Sequence, residues 1–265
     1  MLKILFIGDI VGKPGRAAAK KMISELRESE GLDFVFANGE NLAAGHGMTY
    51  EKYQEMVEAG IDYFTSGNHI WNNKDFIHSL DDKSVKVLRP ANYPENVPGR
   101  GVALIGDDIA LANLQGRVFM YDDVEDPFKT ADKIIKENEG KIIIIDFHAE
   151  ATSEKVALGF YLDGKVAALL GTHTHIQTSD ERILGGGTAY ITDLGMTGPR
   201  DSVLGVKKEI IIEGFLTQLP QSHKVAVGEQ IFGGVVIEID TKTKRALKIK
   251  RINKVVPVEA GKGAL

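Results

Sequence analysis

The sequence predicts an α/β protein in which two sheets pack together with helices outside. Three observations predict it. Short apolar runs alternate with segments of helical period; a Pro- and Gly-rich middle separates two strand-rich halves; and each half carries its own helices.

Residues 2–8 (LKILFIG) form a nearly continuous apolar run, the pattern of a strand buried on both faces. Gly12, Pro14 and Gly15 mark residues 9–16 as a turn, and residues 17–28 read as an amphipathic helix with Met22, Ile23 and Leu26 on one side. Residues 33–37 are the second strand, 50–59 the second helix, 62–65 the third strand and 73–80 a further helix. This alternation predicts a parallel or mostly parallel sheet covered by helices. Residues 85–115 read as short strands with turns, 127–138 as a helix and 141–147 as a very apolar strand. Residues 154–163 read as a helix weakened by Gly159, 166–170 as a strand, and Gly185-Gly186-Gly187 as a turn between short strands. Residues 233–240 and 245–253 flank a polar turn and predict a hairpin, with residues 261–265 a frayed tail. Without repeats, low-complexity segments or linkers, a single domain over residues 1–265 is expected.

Composition narrows the function. The formal net charge of -5 gives no basic footprint, so an extended nucleic-acid surface is not expected. The absence of cysteine removes disulfides, thiolate metal sites, iron–sulfur clusters and cysteine nucleophiles together. No apolar run approaches the roughly 20 residues of a membrane span, and the first residues read as a strand and not as a secretion signal. A cytoplasmic protein is the expectation. Gly8 to Pro14 superficially resembles a phosphate-binding loop, but its glycine spacing is one residue short and Pro14, not Ser or Thr, follows Lys13. A serine hydrolase is disfavoured, because Ser66 in Thr65-Ser66-Gly67 lacks the Gly-x-Ser-x-Gly elbow.

The chemistry gathers at strand ends. Asp9 follows the first strand; Asn38, Glu40 and Asn41 follow the second; Asn68 and His69 follow the third. His148 ends the 141–147 strand, and His173 and His175 follow 166–170 in Gly-Thr-His-Thr-His. Taken singly these have plainer readings: Asp9 a helix cap, Gly-Asn-His a turn, His148 a hydrogen-bonded core imidazole. Ligands of open α/β sheets bind beyond the carboxyl ends of strands, so together these loops should converge on one metal-binding crevice.

In this order, Asp9, Asn-Gly-Glu-Asn, Gly-Asn-His, His148 and Gly-Thr-His-Thr-His resemble the motifs of calcineurin-like metallophosphoesterases. The closer resemblance is to the bacterial YmdB-type branch, extending through Thr192-Asp193-Leu194-Gly195-Met196-Thr197-Gly198-Pro199 and covering residues 3 to about 255. The general superfamily has Asp-x-His where this chain has Asp9-Ile10-Val11, and a bridging aspartate where it has Glu40 followed by Asn41; that branch shares both departures.

The resemblance implies a four-layer αββα sandwich of two mixed sheets and activity as a 2′,3′-cyclic-nucleotide phosphodiesterase yielding 3′-nucleotides. It implies two metal ions per chain, one on Asp9, Glu40, Asn41 and His175, the other on Glu40, Asn68, His148 and His173, with Glu40 bridging. A bridging hydroxide would attack phosphorus in line while His69 protonates the leaving oxygen. With no thiolate present, iron or manganese suits these donors and zinc remains open. Base recognition is unassigned: Tyr93, Phe119, Tyr121 and Phe160 are candidate stacking residues, and Arg200 and Lys13 candidate phosphate contacts. His46 is near enough to Glu40 in sequence to line the site, whereas His78 and His223 read as surface or packing residues. A phosphomonoesterase or nucleotidase of the same fold and a metal-binding regulatory protein are the alternatives, and a homo-oligomer is left open.

Overall fold

The computed structural model describes residues 1–257; the expected frayed tail lies outside the described residues. Its first sheet contains β1 (Leu2–Ile7), β2 (Asp9–Ile10), β3 (Phe34–Asn38), β4 (Tyr63–Thr65), β11 (Met196–Pro199), β12 (Gln230–Ile239) and β13 (Ala246–Val256). The strand order is β2-β11-β12-β1-β3-β4, with β13 also paired to β12. The second sheet runs β5-β6-β7-β8-β10-β9, from β5 (Val102–Ile105), β6 (Ile109–Gln115), β7 (Ile142–His148), β8 (Ala168–Thr172), β9 (Arg182–Ile183) and β10 (Ala189–Ile191).

Both sheets are mixed. β1, β3 and β4 are parallel as expected, but β12 lies antiparallel between β1 and β11. In the second sheet, β6, β7, β8 and β10 are parallel and the two edge strands antiparallel. The long β12–β13 hairpin is the one expected from residues 233–253, extended at both ends.

Side-chain alternation explains why the strands read as unbroken apolar runs. Ile4 and Phe6 of β1 face the second sheet, where they share one core with Ile142 and Ile144 of β7, while Leu5 and Ile7 face outward. That outer face packs under α1 (Gly12–Leu26) and α2 (Tyr50–Glu58), which contribute Ala18, Ala19, Met22, Ile23, Tyr53 and Met56. On the far side, Ile143 and Ile145 pack against Ala131 and Ile134 of α4 (Pro127–Glu137) and Leu158 of α5 (Thr152–Tyr161). Three cores between four layers give the αββα sandwich.

Several boundaries differ from the expectations. The first helix starts at Gly12, five residues early, because Pro14 sits in the first turn, where its missing N–H costs nothing. The helix expected over 73–80 shortens to α3 (Lys74–Ile77), capped by the Asn73 side chain, because Ser79 and Leu80 turn off it through tighter bonds to Phe76 O and Ile77 O. Gly159 does not break α5: a Cβ there would come within 2.6 Å of the Tyr190 ring, so the glycine is what lets the helix approach β10. A sixth helix, α6 (Lys208–Thr217), was not foreseen. No helix among the described residues is long and apolar enough to cross a membrane.

Candidate metal centre

The carboxyl ends of β1, β3 and β4 in one sheet and of β7 and β8 in the other meet at the same rim. Glu40, His148 and His173 each bring a ligating atom to within 4.8 Å of the others. His148 Nε2 is the hub, 3.2 Å from Glu40 Oε1, 3.3 Å from Asn68 Oδ1 and 3.0 Å from His173 Nδ1. His175 Nε2 lies 3.9 Å from Asp9 Oδ1, and the other Asp9 oxygen accepts the His173 backbone N–H at 3.2 Å. Asn41 lines the same cavity as Glu40, His173 and His175, a space of about 380 Å³.

Among the described residues, two buried side-chain oxygens have no hydrogen-bond partner, Asp9 Oδ1 and Asn41 Oδ1. The Asn41 amide is held by its Nδ2 donating to Gly45 O at 2.9 Å, which leaves Oδ1 free by construction. Buried acceptors are rarely left unpaired without a reason, and here both belong to the predicted ligand set. Carboxylate, amide and imidazole donors, with these two free oxygens among them, fit a divalent cation.

Backbone geometry supports the same reading. His173 and His175 both have positive φ, 99° and 64°, a strained state for non-glycine residues. Gly67 is the close-approach point: a Cβ there would fall 2.2 Å from His148 Nε2 and 2.5 Å from Glu40 Oε2.

The charges are tightly interdependent. Burial pushes the Asp9 carboxyl up to about 6, although His175 and His148 pull the other way. Burial would also raise Glu40, but the adjacent His148 outweighs it, aided by His69 and His173, and holds the carboxyl well below the usual range. His148 itself, which burial would deprotonate, is raised to about 9 by Glu40, Asp9 and Asp146. Burial and the neighbouring His148 cation lower His173 to about 3.

Beneath the donors lies a layer that sequence reading did not identify. Asp146 is fully buried within β7 and accepts from Thr65 Oγ1 at 2.5 Å, Thr172 Oγ1 at 2.7 Å and Asn38 Nδ2 at 3.0 Å. Asn38 belongs here and not with the donors: its Oδ1 accepts the Glu40 N–H at 3.1 Å and its Nδ2 points into the Asp146 network. A buried Lys155 donates to Thr172 O at 2.8 Å and Asp193 Oδ2 at 2.7 Å, and Asp193 in turn accepts from Thr174 N and Gly195 N. The Thr192–Pro199 motif thus braces the histidine loop. Glu150 Oε2, 3.1 Å from His173 Nε2, was likewise unremarked. A lone carboxylate inside an Ile-Ile-Ile-Ile-Asp-Phe-His run was the available signal for Asp146, since a charge on a doubly buried strand requires partners.

His69 lines the cavity without joining the hub; its backbone N–H donates to Glu40 Oε2 at 3.1 Å and its ring stacks edge-on against His46, centroids 4.8 Å apart. His46 therefore lines the same cavity. His223 departs from its surface reading: it borders the cavity with its ring 6.1 Å from that of His46, brought there by the unforeseen loop after α6. His78 is exposed as expected.

None of Tyr93, Phe119, Tyr121 and Phe160 lines this cavity; its aromatic residue is Phe215 of α6. Tyr93 instead edges a larger cavity of about 560 Å³ beside α4 that contains none of the predicted donors. Arg200 pairs with Glu229, and neither it nor Lys13 borders the metal-donor cavity.

The chain is 49% identical over 256 residues to a 2′,3′-cyclic-nucleotide 2′-phosphodiesterase of Bacillus subtilis (strain 168), covering 95% of this chain and 96% of that one. A crystal structure described as a hypothetical protein from Thermus thermophilus superposes with TM-score 0.90 at 38% identity, covering 97% of this chain and all of that one (100%). A structure described as a novel phosphatase from Mycoplasma pneumoniae superposes with TM-score 0.92 at 34% identity, covering 97% and 95%. A family model described as YmdB-like protein matches residues 5–252, and the chain belongs to the YmdB-like family.

Proposed function

We propose that this protein is a dinuclear metal-dependent phosphodiesterase, a single-domain cytoplasmic enzyme that converts 2′,3′-cyclic nucleotides to 3′-nucleotides. The observation that carries the metal reading is the pair of unpartnered buried oxygens, Asp9 Oδ1 and Asn41 Oδ1, beside the Glu40–His148–His173 cluster. The cyclic-nucleotide reading rests on the name of the Bacillus subtilis relative.

Asp9, Asn41 and His175 would hold one ion and Asn68, His148 and His173 the other, with Glu40 shared between them. Bound ions supply Lewis acidity, lowering the pKa of water and offsetting charge on the phosphoryl oxygens. Iron or manganese suits this mixture of oxygen and imidazole, and zinc is the alternative. As water adds to phosphorus and the bond to the ribose 2′ oxygen breaks, that oxygen needs a proton. His69 supplies it from Nε2 in its imidazolium form and is left as the neutral imidazole, with the Asn72 side-chain amide 3.3 Å from Nδ1 orienting the ring.

The test is metal analysis of anaerobically prepared protein paired with turnover of cyclic, linear and monoester phosphates. About two metals per chain, reduced by Glu40→Ala, together with preference for 2′,3′-cyclic nucleotides, are expected. One metal indifferent to that substitution overturns the dinuclear reading, and activity on monoesters alone overturns the substrate.

A further inference from the structure

The cavity above the metal donors has two chemically different halves. Its floor is polar, built from Glu40, Asn41, His69, His173 and His175. Its far wall is apolar and comes from one chain segment, with Val203, Val206, Ile211, Phe215 and Val225. Phe215 is 83% exposed, and α6, which carries it, buries none of its residues despite the sequence Ile-Ile-Ile-Glu-Gly-Phe-Leu. An apolar wall is not needed to bind a phosphate.

This wall is anchored to the metal centre. Val206 bridges both Val203 and Val225, and Ala226 N donates to Gly205 O at 2.9 Å. Leu204, at φ 52°, turns its carbonyl to the His175 Nδ1 at 3.0 Å. The spacing between the Val203–Val206 part of the wall and the metal donors is therefore set by a direct contact.

Resting on the proposed activity, we infer that the Val203–Val225 segment is the base subsite, with Phe215 as the stacking surface for the nucleobase of a mononucleotide whose phosphate lies on the metal donors. A base offers a flat apolar face to an exposed ring, and stacking of this kind tolerates every base. The wall residues named are apolar, and the polar side chains bordering the same cavity include His46 and His223. With stacking as the main base contact, all four cyclic nucleotides are expected to be accepted, with KM values within roughly one order of magnitude.

Phe215→Ala removes a ring that contributes nothing to the core. Turnover of 2′,3′-cyclic AMP is compared with that of glycerol 1,2-cyclic phosphate, which has the ester but no base. The ratio of kcat/KM for the nucleotide over the baseless ester is expected to fall roughly ten- to a hundredfold, through KM. An unchanged ratio overturns the base subsite while leaving the phosphodiesterase reading intact. Should the wild type hydrolyse neither ester, that reading fails instead, and calorimetric binding of 3′-AMP decides the inference. Binding weakened by Phe215→Ala upholds the subsite; no binding, or binding indifferent to the substitution, overturns it.

Discussion

The Thr172 hydroxyl stands 2.9 Å from His148 Nδ1 and donates its own proton to Asp146 Oδ1 at 2.7 Å. Its oxygen can then only accept from the imidazole, so Nδ1 keeps its proton and Nε2 is turned toward Glu40, Asn68 and His173. Orientation of a ligating histidine by such a relay commonly contributes ten- to a hundredfold in metal affinity. Thr172→Val, nearly isosteric, should weaken metal binding by about that factor while the circular dichroism spectrum is retained. Equal affinity in competition with a chelator would show the relay to be idle.

Metal uptake should release protons. Glu40, Asp9 and Asp146 hold metal-free His148 protonated up to about pH 9, and burial raises Asp9 to about 6. Metal must displace the Nε2 proton, so affinity rises with pH toward about 9 and drops more steeply below about 6. Calorimetry at pH 7.5 in buffers of different ionisation enthalpy should report about one proton per chain; none would contradict the assignment. In the metal-free protein the folded-state pKa of His148 exceeds its ordinary value. Its stabilising contribution is therefore full below about pH 6.5 and lost as pH rises through about 9.

Lys155 and Asp193 form an ion pair with both side chains 1% exposed. Lys155→Met leaves Asp193 charged, buried and short of its strongest partner, which should cost about 3–5 kcal/mol. A fall in melting temperature, with weaker metal binding through the loosened His173–His175 loop, is the expected result. An unchanged melting temperature would mean that Thr174 N and Gly195 N suffice for the carboxylate.

His69→Asn should lower turnover by about 10²–10⁴ with metal content intact. Loss of metal with specific activity per bound metal unchanged would move His69 from proton transfer to support of Glu40.

The layered architecture was legible because β1 and β7 are apolar on both faces, and only a strand between two layers is. The cluster was legible because its donors each follow a strand, and strand ends share a rim. What escaped was held by non-local geometry. Asp146 and Thr172 meet across two strands, and neither neighbourhood in sequence advertises the other. β10 and β11 are three and four residues long, too short for alternation to register. α6 lacks the amphipathic period that betrays a packed helix, and none of its residues is fully buried. For that reason the apolar wall and His223 beside it were missed together.

The two sheets divide the donors between them, Asp9 and Glu40 from one, His148 and His173 from the other. Asp9 and His173 touch although they lie 164 residues apart in the chain. During synthesis the amino-terminal half can complete its own parallel strands, yet it has only part of a metal site until the second sheet emerges and docks. A metal that needs donors from both sheets would therefore be captured only after the sheets dock, late in maturation.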